Sequence, residues 1–216
     1  MLHPSLEIVF PGCHARGVPK EKLIVFVKAP RDGEVKTRLA ATVGSRKACA
    51  IYRELVATLL QRIGALKEVE LRFSPDDARA EIQQWLQAGW TAQPQGDGDL
   101  GARLNRAFET SFQSGAENVV IIGSDCPEAG SSDIRAAWKE LKAHDVVLGP
   151  SIDGGYWLIG LRATNARLFE EMAWSSDQVL GQTLQRARAL GLRIQLLRIL
   201  ADIDTEEDWN AYVHRS

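Results

Sequence analysis

The chain has 216 residues, of which 45% are hydrophobic and 25% charged, with 26 Lys and Arg against 28 Asp and Glu for a net charge of −2. This is the composition of an ordinary globular protein and, at roughly 100–200 residues per domain, most simply of one domain. The near-neutral balance, with no run of Lys and Arg longer than two, excludes the electrostatic footprint of a nucleic-acid binder, and no stretch approaches the ~18 consecutive apolar residues of a membrane span.

Three scattered cysteines, Cys13, Cys49 and Cys126, show no CxxC spacing, so neither a disulfide framework nor a zinc site is expected. A reducing cytoplasm fits that usage. The N-terminal LHPSLEIVFPGCHARG lacks the basic start and long apolar middle of a signal peptide. Residues 1–21 read as a loosely held extension, and 22–216 as a single domain.

Leu23 to Ala29, LIVFVKA, is a continuous apolar run ended by Pro30, the pattern of a buried strand. The following KAPRDGEVKTRL turns at Gly33 and gathers Lys28, Lys36 and Arg38 at one strand end, where cations suit an anionic ligand: Arg as a bidentate fork, Lys as a point charge. From Ser45 to Ile63 the apolar residues recur at i, i+3 and i+4, predicting an amphipathic helix that crosses back to a second strand at Val69 to Phe73. A shorter helix is expected around Ile82, Trp85 and Leu86. Alternation of strand and helix predicts a parallel sheet.

Residues 96–101, GDGDLG, match the letters of a dinucleotide-binding fingerprint, but TAQPQ before them is a poor strand, and Asp97 and Asp99 repel a pyrophosphate. The better reading is a polar loop whose Asp99 caps a helix carrying Leu104, Phe108 and Phe112. Arg103, near the start of that helix, can reach a phosphate or a neighbouring carboxylate, or serve as a plain surface arginine.

Val119 to Ile122 is a central-strand run that stops at Gly123-Ser124-Asp125. Ligands of open α/β sheets bind beyond the carboxyl ends of the strands, so Asp125 points into that crevice; the same residue type also starts turns and caps helices. After a helix near Ile134 to Leu141 comes another buried strand, Asp145 to Pro150, and then SIDGGYWLIGL. Here Asp153, Gly154, Gly155, Tyr156 and Trp157 have the composition of a binding loop, while Asp-Gly between apolar runs also signals a hairpin with both rings in the core. A turn can be a site as well. Gln178 to Leu190 reads as a helix closed by Gly191, and Arg193 to Leu200 as a strand. Thr205 and Asp208 fit a capping box. Asp202 and Asp204, just past the last strand, fall on one side of an extended segment, where hard carboxylate oxygens suit Mg2+ or Mn2+.

Five ordered motifs, KAPRDGEVKTRL, GDLGARL, IGSDCP, LGPSIDGGYWLIGL and DIDTEEDW, together resemble a family of small bacterial transferases, DUF2064, whose members are often labelled radical-SAM/selenodomain-associated or arsenosugar-biosynthesis-type glycosyltransferases. The resemblance runs from Leu23 to Trp209. More distantly the chain is similar to phospholactate guanylyltransferases and molybdopterin nucleotidyltransferases. It implies a three-layer α/β/α Rossmann-like GT-A fold, that of nucleotide-diphospho-sugar transferases, with a mostly parallel central sheet. It further implies a nucleotide over the first strand's loop, and Asp125 with Asp204 on a divalent ion. The chain departs from its relatives at Asp32 and Glu206, where Pro is common, and at Pro127, where a GT-A Asp-x-Asp pair would place its second acid. It also lacks the glycine-rich loop of typical nucleotidyltransferases between residues 28 and 38.

The expectation is a cytoplasmic, metal-dependent transferase passing a sugar from a nucleoside diphosphate sugar to a small acceptor. The metal would sit on Asp125, Asp204 or Asp202, and Lys28, Lys36, Arg38 and Arg103 would hold the nucleotide phosphates. Asp153 would be the base, and the loop of Gly154, Gly155, Tyr156 and Trp157 would receive the acceptor. Two alternatives stand beside it: a nucleotidyltransferase attacking a nucleoside triphosphate, and a non-catalytic nucleotide-binding module.

Overall fold

The computed structural model describes residues 21–215. Seven strands, β1 (Glu21–Lys28), β2 (Val69–Ser74), β3 (Thr91–Pro94), β4 (Asn118–Ile122), β5 (Val146–Pro150), β6 (Tyr156–Leu161) and β7 (Ile194–Leu196), form one sheet in the order β3-β2-β1-β4-β6-β5-β7. All pairings are parallel except those of β6, which runs antiparallel to both β4 and β5. The helices are α1 (Thr37–Val43), α2 (Ser45–Ile63), α3 (Arg79–Ile82), α4 (Leu100–Gln113), α5 (Ser131–Leu141), α6 (Val179–Ala189) and α7 (Glu206–Val213).

The strands alternate their side chains between two cores. Leu23, Val25, Val27, Leu71 and Phe73 join α2, α3 and α5 on one face, and Ile24, Ile121, Leu148 and Ile159 join α4 and α6 on the other. That double burial is why the strand segments read as unbroken apolar runs. A third cluster packs Leu39 of α1 and Ile51 and Leu55 of α2 around Ile203, with Trp209 and Tyr212 of α7 against it. The result is the expected three-layer α/β/α arrangement with a mostly parallel sheet. No helix among the described residues is long and apolar enough to cross a membrane.

Four local expectations change. TAQPQ does form a strand, β3: it lies at the sheet edge and pairs only with β2, so Pro94, which has no N–H to donate, costs no inner-ladder hydrogen bond. Thr37–Val43 forms a helix that the loop reading passed over, because it follows Lys36 with no side-chain cap to announce it. Of the strand expected from Arg193 to Leu200, ordered pairing covers only Ile194–Leu196, with an isolated bridge from Ser151 to Leu200 beyond. Glu21, assigned to the extension, is the first residue of β1 and pairs with Asn118; the rest of that extension lies outside the described residues.

Asp99 caps α4 as expected, its Oδ1 accepting from the Ala102 N–H at 2.8 Å. Asp99→Ala should therefore lower stability by about 1 kcal/mol, as urea unfolding would register, because one orphan helix N–H loses its acceptor.

Candidate active site

From β1 the chain steps outward to β2 and β3, then returns to place β4 on the other side of β1. Connections therefore diverge between the carboxyl ends of β1 and β4, and such a switch point leaves a crevice where ligands bind. A cleft of about 520 Å³ opens there, lined among others by Lys28, Lys36, Arg38, Tyr52, Arg103, Ser124, Asp125 and Asp204.

Each wall of the cleft follows from local structure. β1 delivers Lys28, and Gly33, at φ +83°, turns the loop back toward α1. Lys36 precedes α1 in the left-handed region, φ 48° and ψ 49°, a conformation costly for a residue with a Cβ and typical of functional sites. β4 ends at Ile122 and presents Ser124 and Asp125. The segment after β7 is docked by its backbone, Ile203 N–H donating to the Asp125 carbonyl at 2.9 Å. Burial of Ile203 in the third cluster aims its neighbours Asp202 and Asp204 the other way, toward β4.

The outcome is a compact ion cluster. Lys36 Nζ lies 2.8 Å from Asp125 Oδ1 and 3.0 Å from Asp204 Oδ1, and an Arg38 guanidinium nitrogen lies 3.6 Å from Asp204 Oδ2. Burial alone would depress the Lys36 ammonium, but Asp125 and Asp204 outweigh it and raise its pKa, so the lysine is firmly charged. The Lys36 side chain is 3% exposed, whereas Asp125 and Asp204 keep 45% and 36% of theirs open to the cleft. Asp202 sits behind them. Burial, and then the charges of Asp125 and Asp153, push its carboxyl up to about 7, against the pull of Ser151 and Lys36.

Beneath the cluster, the Tyr52 hydroxyl accepts from the Lys28 N–H at 2.8 Å and hydrogen-bonds Ser124 Oγ at 3.1 Å, tying the ends of β1 and β4 together. On the other wall, Gln95 Nε2 donates to the carbonyls of Val27 and Arg72, and its Oε1 accepts from Arg103 at 3.3 Å. Arg103 Nε also donates to Gly98 O at 2.9 Å, so the arginine is held rather than free in solvent. The GDGDLG loop does lie between a strand and a helix. Its helix start, however, is filled by Asp99's own carboxylate, which leaves a pyrophosphate no such seat.

Lys28, Lys36, Arg38, Arg103, Asp125 and Asp204 thus share one cleft, though they lie up to 176 positions apart in the sequence. Asp202 and Asp153 stand beside it. The turn of Asp153, Gly154 and Gly155 joins β5 to β6, with Asp153 Oδ1 accepting from Gly155 N–H at 2.9 Å. Gly154, at φ +87°, lies so close to the Asp177 backbone that a Cβ would collide with it, so its glycine serves packing. Trp157 is 3% exposed, packed over Gly149 and donating from Nε1 to Arg198 O, and the Tyr156 hydroxyl is buried too. Both rings belong to the core in this arrangement, which leaves Asp153 and the glycine backbone as the groups that the turn offers an acceptor.

Sequence reasoning passed over Tyr52, Gln95 and Ser124. Tyr52 falls on the apolar face of α2 and reads as core, Gln95 is the last residue of TAQPQ, which reads as a poor strand, and only adjacency to Asp125 signals Ser124.

As for a cation, Asp125 and Asp204 are hard oxygen donors close enough to share one ammonium, and Asp202 is pressed by like charge. Among the described residues no three or more His, Cys, Asp and Glu form a ready cage. That set fits an ion such as Mg2+, which takes one or two carboxylates and completes its shell with water and phosphate oxygens.

Residues 58–176 match the family described as uncharacterised proteins conserved in bacteria, DUF2064. A crystal structure from Desulfovibrio desulfuricans G20, provisionally assigned as a nucleotide-diphospho-sugar transferase, is 32% identical with a TM-score of 0.83, over 90% of this chain and 86% of that one. A 3-phospho-D-glycerate guanylyltransferase from Phenylobacterium zucineum (strain HLK1) is 27% identical over 187 residues, 80% of this chain and 81% of that protein. A Mycobacterium tuberculosis H37Rv protein solved with manganese shares the fold at a TM-score of 0.54 and 13% identity, over 91% of this chain and all of that one.

Proposed function

The chain belongs to the DUF2064 family, with transferases among its relatives, and from that premise we propose a divalent-metal-dependent transferase that moves a sugar from a nucleoside diphosphate sugar to a small acceptor. The observation that carries this reading is the bridge from Lys36 to Asp125 and Asp204, beside Arg38, at the switch point of the sheet. Opposed acids and cations in one cleft match the needs of a departing diphosphate, whose charge must be met on several oxygens at once. The 32% identity to the Desulfovibrio protein supports the donor class, and the manganese held by the Mycobacterium protein supports the metal.

In this reading Asp125 and Asp204 hold the ion. Bound Mg2+ or Mn2+ supplies Lewis-acid neutralisation of the leaving diphosphate. Lys36, just before α1, and Arg38, in its first turn, hold phosphate oxygens. Arg103, fixed by Gln95 and Gly98, and Lys28 line the nucleotide side. Asp153 is the proposed base for the acceptor hydroxyl, and Asp202, beside Asp204, is a further carboxylate at the ion's seat.

A second reading, nucleotidyl transfer from a triphosphate with pyrophosphate release, is favoured by the guanylyltransferase relative and by Pro127, which stands where an Asp-x-Asp pair would continue. The same cations would serve it. Incubation with Mn2+ and UDP-, GDP-, CDP- and ADP-sugars, in parallel with the four triphosphates, separates the two. Nucleoside diphosphate release from one sugar nucleotide is the expected result, and pyrophosphate release from a bare triphosphate would favour the second reading. A donor present at 100 times its Kd should also stabilise the fold by about 2.7 kcal/mol in a melting scan. If no nucleotide raised the Tm and none was turned over, both readings would fall.

A further inference from the structure

We infer that Lys36 is a tethered stand-in for the metal, holding Asp125 and Asp204 together until a polyphosphate draws its ammonium away, so that divalent ion and nucleotide bind synergistically. The inference rests on the proposed function and adds an order to it: the ion is taken well only in company with phosphate.

Three observations combine. First, the ammonium engages Oδ1 of both aspartates, at 2.8 and 3.0 Å, so ion and lysine compete for the same pair of carboxylates. Second, charge is already balanced there, since Lys36 and Arg38 offset Asp125 and Asp204; a divalent ion added without moving Lys36 would lie against a buried, like-charged group. Third, the burial is uneven. The ammonium is enclosed, with its side chain 3% exposed, while the carboxylates face the cleft, so an ion arriving from the cleft meets a cation that solvent screens less than it does the carboxylates.

Lysine is suited to such a role. Its charge sits on a flexible four-carbon stem and can change partners without moving the backbone, which the left-handed Lys36 and the start of α1 hold in place. A diphosphate entering the cleft that Lys36 lines offers the ammonium a stronger, doubly charged partner. Because coupling between two ligands is reciprocal, phosphate must improve the ion's affinity by the factor that the ion improves phosphate's.

The test uses pyrophosphate, the chemistry common to either donor, and calorimetric titration of Mn2+ into the full chain and into Lys36→Met, with Mn2+–pyrophosphate association in solution subtracted. The native protein should bind Mn2+ roughly 10-fold more tightly with pyrophosphate than without it, within the usual span of such couplings. Lys36→Met should bind Mn2+ alone roughly 10-fold more tightly than the native protein and lose most of the pyrophosphate enhancement. Should the apolar side chain of Lys36→Met not support folding, Lys36→Gln, which is also uncharged but keeps a donor for the aspartates, must show the same gain.

Equal or weaker Mn2+ binding by a folded Lys36 variant would overturn the inference and leave the proposed function standing. A native protein that bound Mn2+ neither alone nor with pyrophosphate would sink both. Tight Mn2+ binding by the native protein without phosphate would also overturn the inference, since it would show that the lysine is no obstacle.

Discussion

Asp125→Ala is expected to abolish metal-dependent nucleotide binding in a calorimeter and to lower turnover roughly 10²–10³-fold, the scale seen when one preorganised electrostatic partner of a transition state is removed. The fold should survive. Asp125 contributes to the architecture through its backbone, whose carbonyl accepts from Ile203, and its side chain is 45% exposed. Removing the carboxylate leaves Asp204 as the partner of Lys36 and takes away half of the proposed ion seat. Asp125→Asn sharpens the test: it retains an oxygen for Lys36 but not the negative charge, so it should resemble Ala in metal binding while melting close to the native protein. Full metal-dependent nucleotide binding by the Ala variant would remove the foundation of the proposed mechanism.

The second large effect lies away from the cleft. Arg72→Met should destabilise the protein by about 3 kcal/mol, because it leaves the buried Glu70 carboxylate with Lys22 alone as its charged partner. β2 turns Leu71 and Phe73 into one core, and so must turn Glu70 and Arg72 toward α4, where they are 3% and 2% exposed. They are affordable there only as a network: Arg72 Nε donates to Glu70 Oε1 at 2.6 Å, Lys22 Nζ to Glu70 Oε2 at 2.8 Å, and Arg72 also reaches the Thr110 hydroxyl. The double change Glu70→Leu with Arg72→Leu should recover most of the loss, since the charge that then loses its partner, Lys22, has a side chain 18% exposed and can turn to solvent. Equal Tm values for Arg72→Met and the native protein would show the network to be without consequence.

The same network sets a pH dependence. Burial alone would raise the Glu70 carboxyl, but Arg72 and Lys22 hold it below its ordinary value in the folded state. A lowered folded pKa means that the unfolded chain binds the proton first on acidification. The contribution of Glu70 is thus complete above the ordinary glutamate pKa of about 4.3 and is lost as pH falls through the folded value. Urea midpoints should drop more steeply with acid in the native protein than in the double Leu variant.

Much of this site is legible in the order of residues, for a physical reason: a parallel sheet exposes its functional groups at strand ends, and strand ends are marked by the close of an apolar run. Asp125 after Val119 to Ile122 and Lys28 at the end of β1 follow from that rule, while Asp204 lies beyond the paired part of β7 and is brought in by the docking of Ile203. Asp153, Tyr156 and Trp157 show its limit. One stretch, SIDGGYWLIGL, supports both a binding loop and a hairpin, and only register decides that Trp157 enters the core, since a shift of one residue would put it on the opposite face. Tyr52 and Gln95 carried no signal. A tyrosine on an apolar helix face and a glutamine after a weak edge strand become part of the cleft only because α2 and β3 pack where they do.

By itself, the sequence determined the alternation of strands and helices, the capped start of α4 and the family to which the chain belongs, because periodicity, caps and ordered motifs are local or additive along the chain. Only the tertiary structure decided that Lys36 lies between Asp125 and Asp204, that burial and like charge raise the Asp202 carboxyl, and that Glu70 and Arg72 form a buried pair. Those properties depend on distance and burial between residues remote in the chain, and electrostatic energy, which varies with both, is fixed only once the sheet has closed them into a common low-dielectric space.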